Sequence, residues 1–216
     1  MELEKIQRGN LMVIGLSVGM MPTNCYLAWD NISKEAVVID PADDAEKIKS
    51  WIEKEGLDLK AILLTHGHFD HIYAVDNIRD EFGVEVYAHE KEQQILQNKD
   101  MNCSLMIRRL IETKADVLVK DEEELQFGSL KLKVIHTPGH THGSVCYYFY
   151  ENDVLFSGDT MFCRSVGRDD LPTGNWSDLH NSIKKLLLLP EEVIVFPGHR
   201  GPTTIAGEKK DESLWY

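Results

Sequence analysis

One stretch, Leu63-Leu64-Thr65-His66-Gly67-His68-Phe69-Asp70-His71, constrains this chain more than any other. In it, three imidazoles and a carboxylate fall within six residues directly after an apolar run. A strand ending at Thr65 would send His66 and His68 to the same side, because extended side chains repeat every two residues, and Gly67 leaves room between them. Asp70 and His71 follow on the turn into the next helix. Nitrogen and oxygen ligands crowded at a strand's C-terminal end suit one or two borderline divalent ions such as zinc, iron or manganese. With nine histidines in 216 residues, a surface histidine cluster is the bland alternative. Ligand types, spacing and strand-to-turn context agree on the metal.

The length suits one substantial domain with a real core, and residues 1–216 are read as a single domain. Lys+Arg 23 against Asp+Glu 36 gives a net charge of −13, which argues against nucleic acid as a partner, since phosphate binding needs clustered positive charge. A membrane-spanning helix needs roughly 20 apolar residues, and no such run occurs, so no membrane partner is expected. The apolar stretch from Leu11 to Met21 is broken by Gly15, Ser17 and Gly19 and does not read as a signal peptide. Cys25, Cys103, Cys146 and Cys163 form no Cys-x-x-Cys pair, so buried or idle thiols are expected rather than a disulfide framework. These features together predict a cytoplasmic protein.

Along the chain, 11–18, 24–29 and 36–39 read as an antiparallel meander, the last run ending in Asp40. A helix starts at Asp43 or Asp44, carries Ala45, Ile48 and Ile52 at helical spacing and closes at Gly56. The apolar strand 59–64 then delivers the histidine motif. The next helix carries Ile72, Val75, Ile78 and Phe82 and stops at Gly83, and 85–88 is a further strand. Residues 90–113 are mostly helical in pattern, with a break around Asp100-Met101-Asn102, as a lid or a packed insertion. Strands at 125–128, 130–136, 144–150 and 154–157 precede an apolar helix at 179–189 and a last strand at 193–196. Strands followed by a helix occur in both halves. The natural architecture is α/β: two mixed β-sheets packed face to face with helices outside, an αββα sandwich.

Three later points place a polar residue at a glycine-rich strand end: Thr137-Pro138-Gly139-His140, Phe156-Ser157-Gly158-Asp159 and Phe196-Pro197-Gly198-His199. Each alone reads as a turn. Their repetition after successive apolar strands makes them candidate ligands, with glycine permitting close backbone approach.

The series Thr65 to His71, then His140, Asp159 and His199, resembles the metallo-β-lactamase superfamily, and within it the glyoxalase II-like metal-dependent hydrolases in their compact form. The resemblance spans essentially the whole chain and implies that fold. It implies that His66, His68 and His140 hold one metal, that Asp70, His71 and His199 hold another, and that Asp159 bridges them. Two divalent ions follow, zinc first, with iron and manganese as the other candidates. The implied chemistry is attack of a metal-bridging hydroxide on a carbonyl carbon, most simply that of a thioester such as S-lactoylglutathione, a small-molecule acyl substrate. Asp70 is then a ligand only, or a catalytic residue that also orients the hydroxide or carries a proton.

Asp40 is the candidate partner for a ligand's imidazole N–H. Arg164 and Arg168, in the loop after Asp159, either meet a substrate carboxylate or pair with Asp169 or Asp170. His89, His136, His142 and His180 are assigned no role in the site. The longer glutathione-thioester hydrolases add a helical region that grips glutathione, which this chain, ending at Tyr216, does not repeat. An iron-dependent persulfide dioxygenase on the same fold, with one iron on two histidines and an aspartate, is the alternative function.

Overall fold

The computed structural model describes residues 4–210. Seven strands form the first sheet in chain order: β1 (Ile6–Arg8), β2 (Leu11–Val18), β3 (Thr23–Asp30), β4 (Glu35–Ile39), β5 (Asp58–Leu63), β6 (Glu85–His89) and β7 (Val117–Val119). The pairs from β1 to β4 are antiparallel and those from β4 to β7 are parallel. Parallel neighbours need crossovers. Helix α1 (Ala45–Glu55) supplies the one between β4 and β5, and α2 (Phe69–Ile72) with α3 (Val75–Phe82) the one between β5 and β6. The short α4 (Glu92–Leu96) follows β6.

The second sheet begins with β8 (Glu124–Phe127), β9 (Leu130–His136), β10 (Val145–Phe149) and β11 (Val154–Gly158). The chain then makes a small hairpin, β12 (Met161–Phe162) with β13 (Ser165–Val166), and crosses over through α5 (Trp176–Leu186). It returns as β14 (Ile194–Pro197), parallel to β11, and ends in β15 (Thr203–Thr204) and α6 (Ile205–Lys209). The order across this sheet is β15-β14-β11-β10-β9-β8.

Period-two alternation divides each central strand between two cores. Val37 and Ile39 of β4 face Val145, Tyr147 and Phe149 of β10 between the sheets. Ala36 and Val38 face outward onto Ile48 and Ile52 of α1 and Val75 and Ile78 of α3. On the far side, Cys146 and Tyr148 of β10 meet Leu179, Ile183 and Leu186 of α5. The molecule is an αββα sandwich. No helix among the described residues is long and apolar enough to cross a membrane.

The structure departs from the sequence expectations at four places. Strand β5 ends at Leu63 rather than Thr65, because the Thr65 N–H leaves the ladder and donates to the Asp40 carboxylate at 2.8 Å. The helix after His71 is split into α2 and α3, since Tyr73 and Ala74 donate their N–H groups to Ala42 and Pro41. Residues 90–113 are helical only over Glu92–Leu96. Beyond it, Asn98 Oδ1 accepts from the N–H groups of Asp100 and Met101, and Asn102 Oδ1 from that of Ser104, so local side-chain bonds replace helix bonds. Finally, the 179–189 helix starts earlier, at Trp176, capped by Asn175, whose side chain accepts from the Asp178 N–H.

Candidate metal centre

Register builds the site. Ile39 pairs with Leu63 in parallel β4 and β5, so Asp40 and the 64–71 loop leave the sheet side by side. The ends of β11 and β14 bring Asp159 and His199 to the same edge, with the Gly198 N–H donating to the Gly158 carbonyl at 2.8 Å. Gly198 is required there: a Cβ would stand 2.3 Å from Asp159 Oδ1 and 2.7 Å from His71 Cε1.

Seven side chains named from the sequence meet at this edge. His66, His68 and His140 offer ligand atoms that converge on one point, and Asp70, His71 and His199 on another. Asp159 stands between the sets, with Oδ2 3.6 Å from His140 Nε2 and 3.5 Å from His199 Nε2, and Oδ1 3.4 Å from His71 Nε2. Donors sharing an ion at about 2.1 Å sit roughly 3.4 Å apart in a tetrahedral arrangement, so these spacings suit metal ligands. Buried polar atoms are ordinarily hydrogen-bonded. Here His66 Nε2, His71 Nε2 and Asp159 Oδ1 are buried without a hydrogen bond, which suits atoms that wait for a cation. The donor set fits divalent metal.

Two of the rings are tied from behind, which fixes which of their nitrogens faces inward. His71 Nδ1–H donates to Asp40 Oδ2 at 2.9 Å and His140 Nδ1–H to the Arg168 carbonyl at 2.7 Å. Asp40 also accepts from Thr65 Oγ1 at 2.6 Å, so its oxygens are spent orienting the motif even though it lies near His66 and His71. Burial lowers the proton affinity of His68 to a pKa of about 3, reinforced by His140. At Asp70 burial works against ionisation, but His71 and His199 outweigh it and hold the carboxyl at about 2. The first set is thus kept neutral, as ligation requires, whereas Asp159 and Asp70 hold His71 and His199 protonated, His199 up to about 9, so a cation entering the second set displaces their protons.

Two further side chains hold the site, and no spacing in the sequence marks them. Thr23 Oγ1 donates to Asp70 Oδ2 at 2.9 Å. Glu92, fully buried, accepts from the Gly67 N–H at 2.7 Å through one oxygen, and from Thr141 Oγ1 at 2.6 Å and the Gly143 N–H at 3.0 Å through the other. One carboxylate therefore ties the loop of His66 and His68 to the loop of His140. Burial, against those three hydrogen bonds, lifts its pKa to about 7.

A cleft of about 490 Å³ opens over the ligands, with His68, Asp70, His140, Asp159 and His199 in its floor. Arg168 lines it, with its guanidinium on Asp170 at 2.6 and 2.8 Å, while Arg164 is not among the lining residues. His89 and His136 stack on each other at 4.2 Å, the His142 carbonyl faces His136 Nε2, and His180 lies on Trp176. None of these four joins a converging group among the described residues.

Comparisons with known proteins place this geometry. The hydroxyacylglutathione hydrolase GloC of Haemophilus influenzae is 35% identical over 195 residues, covering 87% of this chain and 90% of that protein. The crystal structure of BLEG-1 B3 metallo-beta-lactamase matches with a TM-score of 0.88 at 44% identity, covering 92% of this chain and 97% of that one. TTHA1623, solved in a di-iron-bound form, matches with a TM-score of 0.79 at 36% identity, covering 91% and 96%. The model of the metallo-beta-lactamase superfamily matches residues 18–199, a span that contains every one of the seven converging side chains, and the chain belongs to that superfamily.

Proposed function

We propose that this protein is a binuclear metal-dependent hydrolase of small acyl compounds, with a thioester such as S-lactoylglutathione as the first candidate substrate. The observation that carries this reading is the position of Asp159 between two converging ligand sets. His66, His68 and His140 would hold one ion, Asp70, His71 and His199 the other, with Asp159 shared. Zinc is the leading metal, and the di-iron form of TTHA1623 makes iron the competitor. Divalent ions bound there would bring water to a pKa near neutrality and polarise a carbonyl oxygen.

The protein's own part is orientation and proton handling. Asp40 and the Arg168 carbonyl hold His71 and His140 with Nε2 inward. Asp70, kept ionised and fixed by Thr23, can accept a hydrogen bond from the attacking water and orient it, and its low pKa makes it a positioning group rather than a strong base. Water's oxygen joins the acyl carbon, the carbon–sulfur bond breaks, and the proton ends on the leaving thiolate. The GloC relative supports a thioester.

A mononuclear iron persulfide dioxygenase is the rival reading, and the second converging set counts against it. Metal content of the purified protein, with turnover of S-lactoylglutathione and of glutathione persulfide, separates the two. Two ions per chain and thioester cleavage that Asp70→Ala abolishes are expected. One iron per chain with oxygen consumption would overturn the proposal.

A further inference from the structure

The walls of the cleft differ in kind from its floor. Above the ligands it is lined by Met21, Phe69, Met106, Ile107, Phe162 and Leu171. Two loops carry half of these side chains, Met21 on residues 19–22 and Met106 and Ile107 on 103–111. On them Met20, Met21, Leu105, Met106 and Leu110 are all exposed, between 52% and 72%. The loops meet, since Met20 and Met21 share a shallow depression with Ile107 and Arg109. The other large exposed apolar side chains among the described residues, Ile32, Leu118, Trp176 and Leu188, lie on separate segments. An apolar patch gathered at a cleft marks what the cleft takes, whereas scattered single residues do not.

The 103–111 loop is also held in place from below. The Phe69 N–H donates to the Asn102 carbonyl at 2.9 Å, Thr113 Oγ1 to Asp76 at 2.6 Å, and the Arg109 guanidinium covers the Tyr73 ring while pairing with Asp43. Its exposed Met106 and its Ile107 therefore line the cleft from a fixed base. Unbranched methionine adapts to a flexible apolar partner better than to a rigid polar one. The two arginines that line the cleft are engaged, Arg168 with Asp170 and Arg200 with the Cys163 carbonyl.

We propose that the cleft takes substrates in which the scissile carbonyl is flanked by a flexible apolar chain, laid along Met21, Met106, Ile107 and Leu171. The proposal rests on the hydrolase reading for the carbonyl alone and, within it, favours a thioester with an apolar arm over S-lactoylglutathione, both of whose arms are polar. The chain can be the acyl arm or the thiol arm, and the two are separated by experiment.

One series of thioesters on N-acetylcysteamine lengthens the acyl chain from two carbons to about ten, and a second lengthens the alkyl group of thioacetates. The specificity kcat/KM should rise about two- to fourfold per methylene in one series until the cleft is filled. Met106→Ser and Met21→Ser should flatten that rise, with metal content checking that the variants are folded. Binding of alkyl thioethers, which have no carbonyl to cleave, is measured by calorimetry and should tighten with chain length and show a negative heat-capacity change. Chain-dependent thioether binding without hydrolysis of any thioester upholds the cleft assignment and removes the hydrolase reading. Hydrolysis that is flat or falls with chain length in both series overturns the cleft assignment and leaves the hydrolase reading standing. A dimer that buries both loops, with no chain-length dependence, also overturns it.

Discussion

The floor and the mouth of the cleft are built by opposite rules. In the floor, His66, His68, His71 and His140 are buried to 3% exposure or less. Asp40, the Arg168 carbonyl and Glu92 tie those rings or their loops from behind. In the mouth, Met106 is 69% exposed on an irregular loop. A metal site has to hold several donors to fractions of an ångström, and only strand ends with tied side chains do that. An apolar wall needs area and adaptability, which loops supply. Chemistry and selectivity are thus carried by separate parts of the chain, and variants in the two should fail in different ways.

The largest effect is expected from Asp159→Asn. The amide keeps the shape but removes the charge that faces both ligand sets. Metal content should drop to one ion per chain or fewer, and turnover by about a thousandfold or more. No mouth variant should alter metal content. If Asp159→Asn kept two ions and turned over within about tenfold of the parent, the floor would not be the unit described here.

Glu92→Gln tests whether one carboxylate couples the two ligand loops. Gln presents an amide N–H₂ to a donor on one side, so either the Gly67 contact or the Thr141 and Gly143 contacts must break. Metal affinity should weaken about 10- to 100-fold, measured by competition with a chelator. A pH signature goes with it. Burial holds the folded pKa at about 7, above the ordinary 4.5, so the folded chain binds this proton more tightly than the unfolded one. The resulting stability is full below about pH 4.5 and is lost as pH rises through about 7, about 3 kcal/mol in all. In urea unfolding of the metal-free protein, the stability difference between parent and Glu92→Gln should shrink as pH rises through that window, a comparison that cancels the contribution of the buried histidines common to both. Equal slopes would mean that the carboxyl is hydrated and the floor looser than its burial indicates.

The same division explains what was legible in the sequence. Histidines two apart at a strand end with Asp70 and His71 on the turn after them, and glycines before His140, Asp159 and His199, are local patterns that the family resemblance joined into one ligand set, and the structure brings those seven side chains together. The sandwich was legible too, because strands followed by a helix recur in both halves, and the continuous apolar runs of β4 and β10 are buried on both faces. Glu92 was not. Glu90, two residues earlier, is half-exposed near Lys120 while Glu92 is fully buried, and no spacing separates the two. Their difference comes from Gly67, Thr141 and Gly143 arriving from distant parts of the chain. The 90–113 segment misled because its periodicity is helical, while Asn98 and Asn102 bond their neighbours' backbone and Asn102 also holds Phe69. Of the two arginines in the loop after Asp159, only Arg168 lines the cleft, and it pairs with Asp170.

The smallest effect tests the boundary between the two regions. Arg109 anchors the mouth loop by lying 3.7 Å over the Tyr73 ring and pairing with Asp43, but its side chain is 45% exposed. An exposed ion pair contributes about 0 to 1 kcal/mol and an exposed cation–π contact about 0.5 to 1. Arg109→Ala should therefore cost about 1 kcal/mol, a fall of about 2 to 4 °C in Tm for a chain of this size. Hydrogen exchange should quicken at the amides of Leu105, Met106 and Arg108, while those of Thr65 and Gly67, held by Asp40 and Glu92, stay protected. The Phe69 N–H sits between the two, donating to Asn102 from the ligand motif itself. If it stays protected, Asn102 isolates the metal ligands from motion of the mouth. If it is lost together with metal affinity, floor and mouth are one mechanical unit, and substrate contacts at Met106 would be felt at His68 and Asp70.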